Sequence, residues 1–152
     1  MNQETRTLVS WWKLRGAQEN DPFIKFFIMY MCLDAWKTTE SGFDSDAKKL
    51  KWLQETDNSL KKYWAATPNK KVPLQGLKKI GKVEDMRPNN RGEFKYLTDT
   101  DDFKQVTEFI YQIRCNLFHG GKSYVNTHDR LLTRLSAKIL QNWVEWTLVK
   151  TK

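Results

Sequence analysis

The stretch DPFIKFFIMYMCLDAW, residues 21–36, contains the most apolar part of the chain. Asp21 can cap a helix, and Pro22 suits a first helical position. Lys25 and Asp34 interrupt the apolar run, which is also shorter than the roughly 20 residues of a membrane span. The sequence therefore predicts a buried helix here. Its apolar residues recur at three- and four-residue steps: Phe23, Phe26, Phe27, Tyr30, Met31 and Leu33.

Three further helical patterns follow along the chain. A second helix is predicted from cap candidates at 44–46 until Pro68 and Asn69 end it, and a third begins at Asp101 and Asp102. A last long helix is predicted after Thr127 or Asp129 as its cap. The apolar stripes of the three are Leu50, Leu53, Leu60 and Trp64; Phe103, Val106, Ile110, Ile113 and Leu117; and Leu132, Leu135, Ile139, Trp143 and Trp146.

The segment 67–100 breaks these patterns because proline, glycine and asparagine punctuate it. We interpret it as one irregular connection, with either a short helix around residues 73–80 or a functional surface. A solvated loop is the alternative. Its basic residues are Lys70, Lys71, Lys78, Lys79, Lys82, Arg87 and Arg91.

These patterns predict one all-α domain over residues 1–152, with its core in 21–150. The expected architecture is a four-to-five-helix up-and-down bundle with a long irregular connection between the second and third main helices. The fifth helix would be a short one from Thr7 to Leu14, and it would contribute Trp11 and Trp12 to the bundle. No strand is predicted. Helical spacing favours core or interface packing for the tryptophans over base stacking.

Composition limits the partners and the compartment. The net charge of +8 and pI near 9.5 favour an anionic partner such as RNA, DNA or an acidic protein. With Cys32 and Cys115 as the two cysteines, neither a disulfide framework nor a structural zinc site is predicted. The N-terminal residues lack the pattern of a secretory signal, so we expect a soluble, cytoplasmic protein that does not contact a membrane.

The segment RCNLFHGGK, residues 114–122, is the one place where the sequence suggests chemistry. Arginine is a permanent, fork-shaped phosphate ligand, and histidine can donate or accept a proton near neutral pH. On a continuous helix Arg114 and His119 would project about 140° apart. A left-handed Gly120 would end the helix after His119 and allow the imidazole to turn toward the arginine.

Residues 110–122 resemble the HEPN superfamily, whose small helical bundles carry an Arg-x4-6-His motif at the end of their third main helix. The stretch is most similar to the stand-alone bacterial, Apea-like branch. This resemblance implies a metal-independent endoribonuclease without a cofactor, in a toxin or phage-defence setting. It also implies that two chains dimerise so that their motifs face one cleft, and one histidine per site independently favours a homodimer.

Carried over to this chain, the resemblance gives Arg114 the role of phosphate clamp and His119 that of general acid or base, with Asn116 as a lesser polar contributor. RNA would be the substrate, and an antitoxin or another regulatory protein a further partner. The residues expected to hold the RNA are basic: Lys122, Lys78, Lys79, Arg87 and Arg91.

Two positions depart from the pattern of active members. Cys115 follows the arginine where Asn, Asp or His is frequent, and Gly121 stands where members paired with a nucleotidyltransferase antitoxin carry tyrosine. The alternatives are a catalytically inactive HEPN-like RNA-binding module or a protein-interaction module. In a purely structural interpretation His119 caps carbonyls at the helix end. Arg114 would then pair with an acidic residue, for which the candidates are Glu108, Asp129 and Glu145.

Overall fold

A computed structural model describes residues 1–66, 71–119 and 126–149. Within these ranges the chain is all-α apart from one small hairpin, as the sequence predicts. No helix there is long and apolar enough to cross a membrane. The elements are α1 (Gln3–Ala17), α2 (Pro22–Ser41), α3 (Asp46–Glu55), α4 (Ser59–Ala66), α5 (Lys71–Ile80), β1 (Lys82–Glu84), β2 (Phe94–Tyr96), α6 (Phe103–Phe118) and α7 (Thr127–Val149).

The helix α2 lies at the centre of the core and packs most extensively against α7 and α1. Its start is as predicted, because Asp21 accepts hydrogen bonds from the N–H groups of Phe23 and Ile24 and Pro22 follows directly. Pro22 and Thr127, the first residues of α2 and α7, line one groove, so the two helices begin at the same end of the molecule. The largest fully buried side chains include Phe23, Phe26, Met29, Trp36, Phe109, Ile113, Leu132 and Leu140.

The predicted second helix is two helices, and Asn58 is the reason. Its side chain donates to the carbonyl of Leu53 and accepts the N–H of Lys61, which closes α3 and caps α4. Thr56 donates its hydroxyl to the carbonyl of Trp52 and reinforces the break. A single helix over this range was therefore wrong, although Leu53, Leu60 and Trp64 of the predicted stripe are buried.

The connection contains more structure than an irregular loop. The short helix expected at 73–80 is present as α5, beginning two residues earlier. It is followed by an antiparallel hairpin in which Val83 is paired with Lys95. The sequence analysis missed this hairpin because its strands are three residues long, too short for an alternating pattern. Two glycines have positive φ, Gly81 at the turn from α5 into β1 and Gly92 in the connection between the two strands.

Both ends of the chain's helical pattern also differ in detail from the prediction. The N-terminal helix is longer than residues 7–14, because Asn2 accepts the N–H of Thr5 and starts it at Gln3. Asn126, not Thr127 or Asp129, caps α7 by accepting the N–H groups of His128 and Asp129. With these corrections the described residues contain seven α-helices instead of four or five.

Candidate functional site

The predicted motif lies at the C-terminal end of α6. Asp102 caps the start of this helix by accepting the N–H groups of Lys104 and Gln105. The helix is regular to Phe118 and ends at His119, whose N–H donates to the carbonyl of Cys115 at 3.0 Å. His119 is exposed to solvent. Gly120, Gly121 and Lys122, which enter the predicted site, lie outside the described residues.

Arg114 lies one turn before that end. Asp46, Tyr30, Tyr111 and Phe118 surround its guanidinium and form a half-buried pocket that we call the box. Nη2 of Arg114 is 2.9 Å from Oδ2 of Asp46 at the start of α3, and the arginine side chain is 19% exposed. The guanidinium lies 4.4 Å from the centre of the Phe118 ring, and Tyr30 and Tyr111 complete an aromatic wall. The buried Nε of Arg114 has no hydrogen-bond partner in the described part of the chain. The guanidinium in this box therefore pairs with Asp46 through Nη2, while its Nε–H donates to no described residue.

A chain of alternating charges extends from this box into the interior. Asp46 also contacts Nζ of Lys49 at 3.4 Å, and Lys49 lies 2.6 Å from Asp34. Asp34 in turn is 3.2 Å from Lys37. Lys37 and Lys49 are buried, whereas the two carboxylates are partly exposed. Three cations, Arg114, Lys49 and Lys37, therefore share two carboxylates in this network.

The local charges explain the titration of these groups. Burial acts to lower the pKa of Arg114, but Asp46, Tyr30 and Cys115 together outweigh burial and raise the pKa. Burial would raise the pKa of Asp34, yet Lys37 and Lys49 hold it below its ordinary value. Burial raises the pKa of Tyr30, and burial together with neighbouring Cys115 raises the pKa of Tyr111 to about 12. The arginine therefore stays charged and the two tyrosines stay neutral at physiological pH.

Arg114 and His119 lie near the same end of one helix, and Phe118 precedes His119 in the sequence. The Phe118 ring contacts the guanidinium and also meets Phe27 of α2 edge-on at 4.7 Å. Because α6 is regular through Phe118, the two side chains leave the helix about 140° apart. An exposed imidazole and a partly exposed guanidinium on one helix end can contact the same extended ligand, such as a nucleic-acid strand.

Asn116 occupies a position different from that expected. It is fully buried, and its Oδ1 accepts the N–H of Met86 and the side-chain amide of Gln112. Its Nδ2 donates to the carbonyl of Glu84 at 2.7 Å. These bonds hold the β1 end of the hairpin against α6. In this structure Asn116 is thus a structural residue and offers no polar atom to a ligand.

The basic residues expected to hold RNA fall into two groups. Arg87 pairs with Asp85, to which its Nε donates at 2.9 Å, and this pair holds the pKa of Asp85 well below its usual range. Arg91 lies 3.4 Å from Glu84. By contrast, Lys78 and Lys79 are exposed on the last turn of α5 and form no ion pair in the described ranges. The arginines are therefore neutralised locally, and the two lysines are free.

The sequence did not reveal the partner of Arg114. Asp46 takes this role, and not Glu108, Asp129 or Glu145. Asp46 had been assigned only as a helix cap, and nothing in its spacing from Arg114 links the two. The sequence carried one weak signal of the charge network. Lys37 follows Asp34 by three residues, so the two lie on the same face of α2 and can form an ion pair.

The remaining candidates for chemistry are two residues close to the motif. Cys115 is buried with a free thiol, and His128 is exposed at the start of α7. Neither joins a metal-binding group, since the described residues contain no cluster of three or more potential ligands. Comparisons with protein families, curated proteins and solved structures found no match to this chain.

Proposed function

We propose that this protein is a metal-independent endoribonuclease of the HEPN type, with Arg114 and His119 as its catalytic residues. The observation that supports this best is the exposed imidazole at the end of α6, five residues from a permanently charged and partly exposed guanidinium. The site so formed would act on the phosphodiester backbone of RNA in a toxin or phage-defence setting.

The reaction would be attack of a ribose 2′-hydroxyl on the adjacent phosphorus. The bond from the 2′-oxygen to phosphorus forms while the bond to the 5′-oxygen breaks, giving a 2′,3′-cyclic phosphate and a 5′-hydroxyl. His119 would accept the 2′-hydroxyl proton or supply the proton that the 5′-oxygen needs. Arg114 would stabilise the charge on the phosphoryl oxygens. To contact these oxygens, the guanidinium would leave Asp46 and pair with the phosphate instead.

The reaction needs one group to accept the 2′-hydroxyl proton and a second group to protonate the 5′-oxygen. The motif of each chain contains one histidine, His119. We therefore propose a homodimer as the catalytic unit, with His119 of one copy as base and that of the other as acid. Sedimentation equilibrium should give twice the 18.1 kDa mass of one chain. A monomer that cleaves RNA at full rate would contradict the dimer.

A catalytically silent RNA-binding module is the second candidate, and the pair of Arg114 with Asp46 favours it. In this pair the guanidinium already has a carboxylate partner, and it is largely buried. An arginine so placed can be a packing residue. Such a module would bind RNA, with an affinity that falls steeply as salt increases, but would not cut it.

The decisive experiment incubates the purified protein with total cellular RNA in the presence of a chelator. We expect cleavage with cyclic phosphate ends, loss of cleavage in His119→Ala, and retention in His128→Ala. His128 is the matched control because it is the other histidine and is equally exposed. Arg114→Lys tests the second residue, since lysine keeps the charge beside Asp46 but loses the fork that grips phosphate.

The outcomes separate the two candidates. Cleavage that survives in His119→Ala excludes this histidine and with it the proposed enzyme. Binding without cleavage in the wild-type protein identifies the silent module. Because His119 is exposed, its replacement should leave the fold intact, which circular dichroism checks.

A further inference from the structure

A groove of about 590 Å³ lies between the start of α2 and the first half of α7. Pro22 and Ala137 form part of its floor, and its walls carry four cationic side chains. Three of them, Arg130, Arg134 and Lys138, succeed one another at four-residue intervals on α7. Lys25 of α2 faces the groove from the other wall. None of these four cations is among the residues that the sequence predicts to hold RNA.

The cations of this groove are largely uncompensated. Lys25, Arg134 and Lys138 form no ion pair in the described part of the chain, whereas Arg130 has contacts of its own. Among the described residues that line the groove, Glu19 is the one carboxylate. It already accepts the N–H groups of Asn20 and Asp21 and lies 3.3 Å from Arg15. The groove therefore presents a concentrated positive potential to solvent.

The arrangement of the charges favours an extended ligand. Four residues of α-helix rise about 6 Å, so the row from Arg130 to Lys138 is about 12 Å long. A compact anion would need donors that converge on one point, whereas a row of separate cations suits successive charges of a chain. Among the described residues no aromatic side chain lines the groove, so this part of the chain offers bases no stacking platform.

The groove also lies near the proposed catalytic end of the molecule. Thr127, at its rim, begins the helix that follows the α6 terminus, and Pro22 begins α2. The ring contact between Phe118 and Phe27 holds this part of α2 against the end of α6. A strand lying in the groove would thus be close to the segment that carries His119.

We propose that the α2–α7 groove binds the phosphodiester backbone of single-stranded RNA, through Lys25, Arg130, Arg134 and Lys138 and without base preference. The choice of RNA as the polyanion rests on the proposed function. The surface itself is inferred from a groove with four cations, of which Lys25, Arg134 and Lys138 form no ion pair in the described part of the chain.

The test measures binding of a 2′-O-methyl oligonucleotide, which cannot be cleaved by the proposed reaction, by fluorescence anisotropy. The variant Arg134→Gln/Lys138→Gln removes two charges from the exposed face of α7. If both contact phosphate, affinity in 0.1 M salt should fall roughly 25-fold, and the slope of log K against log salt should become shallower by about 1.4.

The matched control is Lys48→Gln/Lys51→Gln, which removes the same two charges from an exposed face of α3. It should bind nearly as well as the wild-type protein. Equal losses of affinity in both variants would show that net charge alone sets the binding. That result would contradict the proposed binding of RNA in the groove. A mononucleotide that competes as well as the strand, at equal phosphate concentration, would show a site for compact anions and would also overturn it.

This assay is independent of catalysis. A wild-type protein that binds the oligonucleotide through the groove but leaves ordinary RNA intact supports the groove and contradicts the nuclease. Cleavage by the wild type together with unchanged binding and cleavage by the groove variant supports the nuclease and overturns the groove. Failure of the wild type to bind the strand at low salt overturns the groove in either case.

Discussion

Arg114 and Asp46 form the ion pair at which α6 meets α3, with Nη2 of the arginine 2.9 Å from Oδ2 of the aspartate. The two residues are 68 positions apart in the sequence. The pair has two consequences. It keeps the arginine charged in a half-buried box, and under the proposed function Asp46 is the group that a phosphate would displace.

Replacing Asp46 by asparagine should destabilise the protein by about 1–3 kcal/mol, because it leaves a partly buried guanidinium without its counter-charge. Urea unfolding followed by circular dichroism measures this change. Asp57→Asn is the control, since Asp57 and its partner Lys62 are both well exposed. The control should stay within about 0.5 kcal/mol. Equal stability of the two variants would mean that the buried pair contributes nothing.

Replacing Asn116 by alanine should cost about 2–3 kcal/mol, because it leaves the N–H of Met86 and the carbonyl of Glu84 without their partner. Hydrogen exchange should report faster exchange at the Met86 amide. Asn142→Ala, at an exposed position of α7, is the matched change and should leave that amide unaffected. Unchanged protection in Asn116→Ala would argue that the hairpin is held by other contacts.

Two glycine substitutions should have different effects. A Cβ at Gly16 would lie 2.7 Å from Cγ2 of Ile28, a stiff β-branched side chain, so Gly16→Ala should destabilise by about 1–3 kcal/mol. A Cβ at Gly76 would meet the far end of the flexible Leu135 side chain. There the gain in helix propensity, up to about 1 kcal/mol, offsets the contact. Thermal unfolding of both variants tests the order of the two effects.

The stability should fall in alkaline solution because of Tyr111. Burial and Cys115 raise the pKa of Tyr111 from near 10 to about 12. Above about pH 10 the unfolded chain loses this proton while the folded protein keeps it, so stability decreases with pH until about 12. Urea titrations across this window should show a smaller decrease for Tyr111→Phe, which cannot ionise. An identical decrease in both proteins would assign the effect to other groups.

The predicted helices differ in how well the sequence indicated them, and local signals explain the difference. The helix α2 was predicted with its cap, because Asp21, Pro22 and the apolar periodicity are all local features. The start of α6 at Asp102 was predicted for the same reason. The break between α3 and α4 was missed, since it depends on side-chain bonds of Asn58 that compete with a continuing helix. The hairpin was missed because three-residue strands carry no period.

The residues of the candidate site also divide into those that local sequence indicated and those that depend on tertiary contacts. The chemical types of Arg114 and His119, and their place at a helix end, could be read from the sequence. Asn116 could not be assigned in this way, because its buried bonds to Glu84 and Met86 join segments about 30 residues apart. The charged groove was also outside the reach of the sequence analysis. Lys25 and Arg134 are brought to one surface only when α2 packs against α7.

The sequence by itself determined the all-helical class, the central buried helix and the identity of the groups available for chemistry. It could do so because helix capping and apolar periodicity act over a few residues, and because the charge of a side chain is intrinsic. Only the tertiary structure decided that Asp46 pairs with Arg114 and that Asn116 is structural. The packing of α2 against α7 also places cations of both helices around one groove. These facts depend on which helix faces meet, and long-range packing of many weak contacts sets that choice.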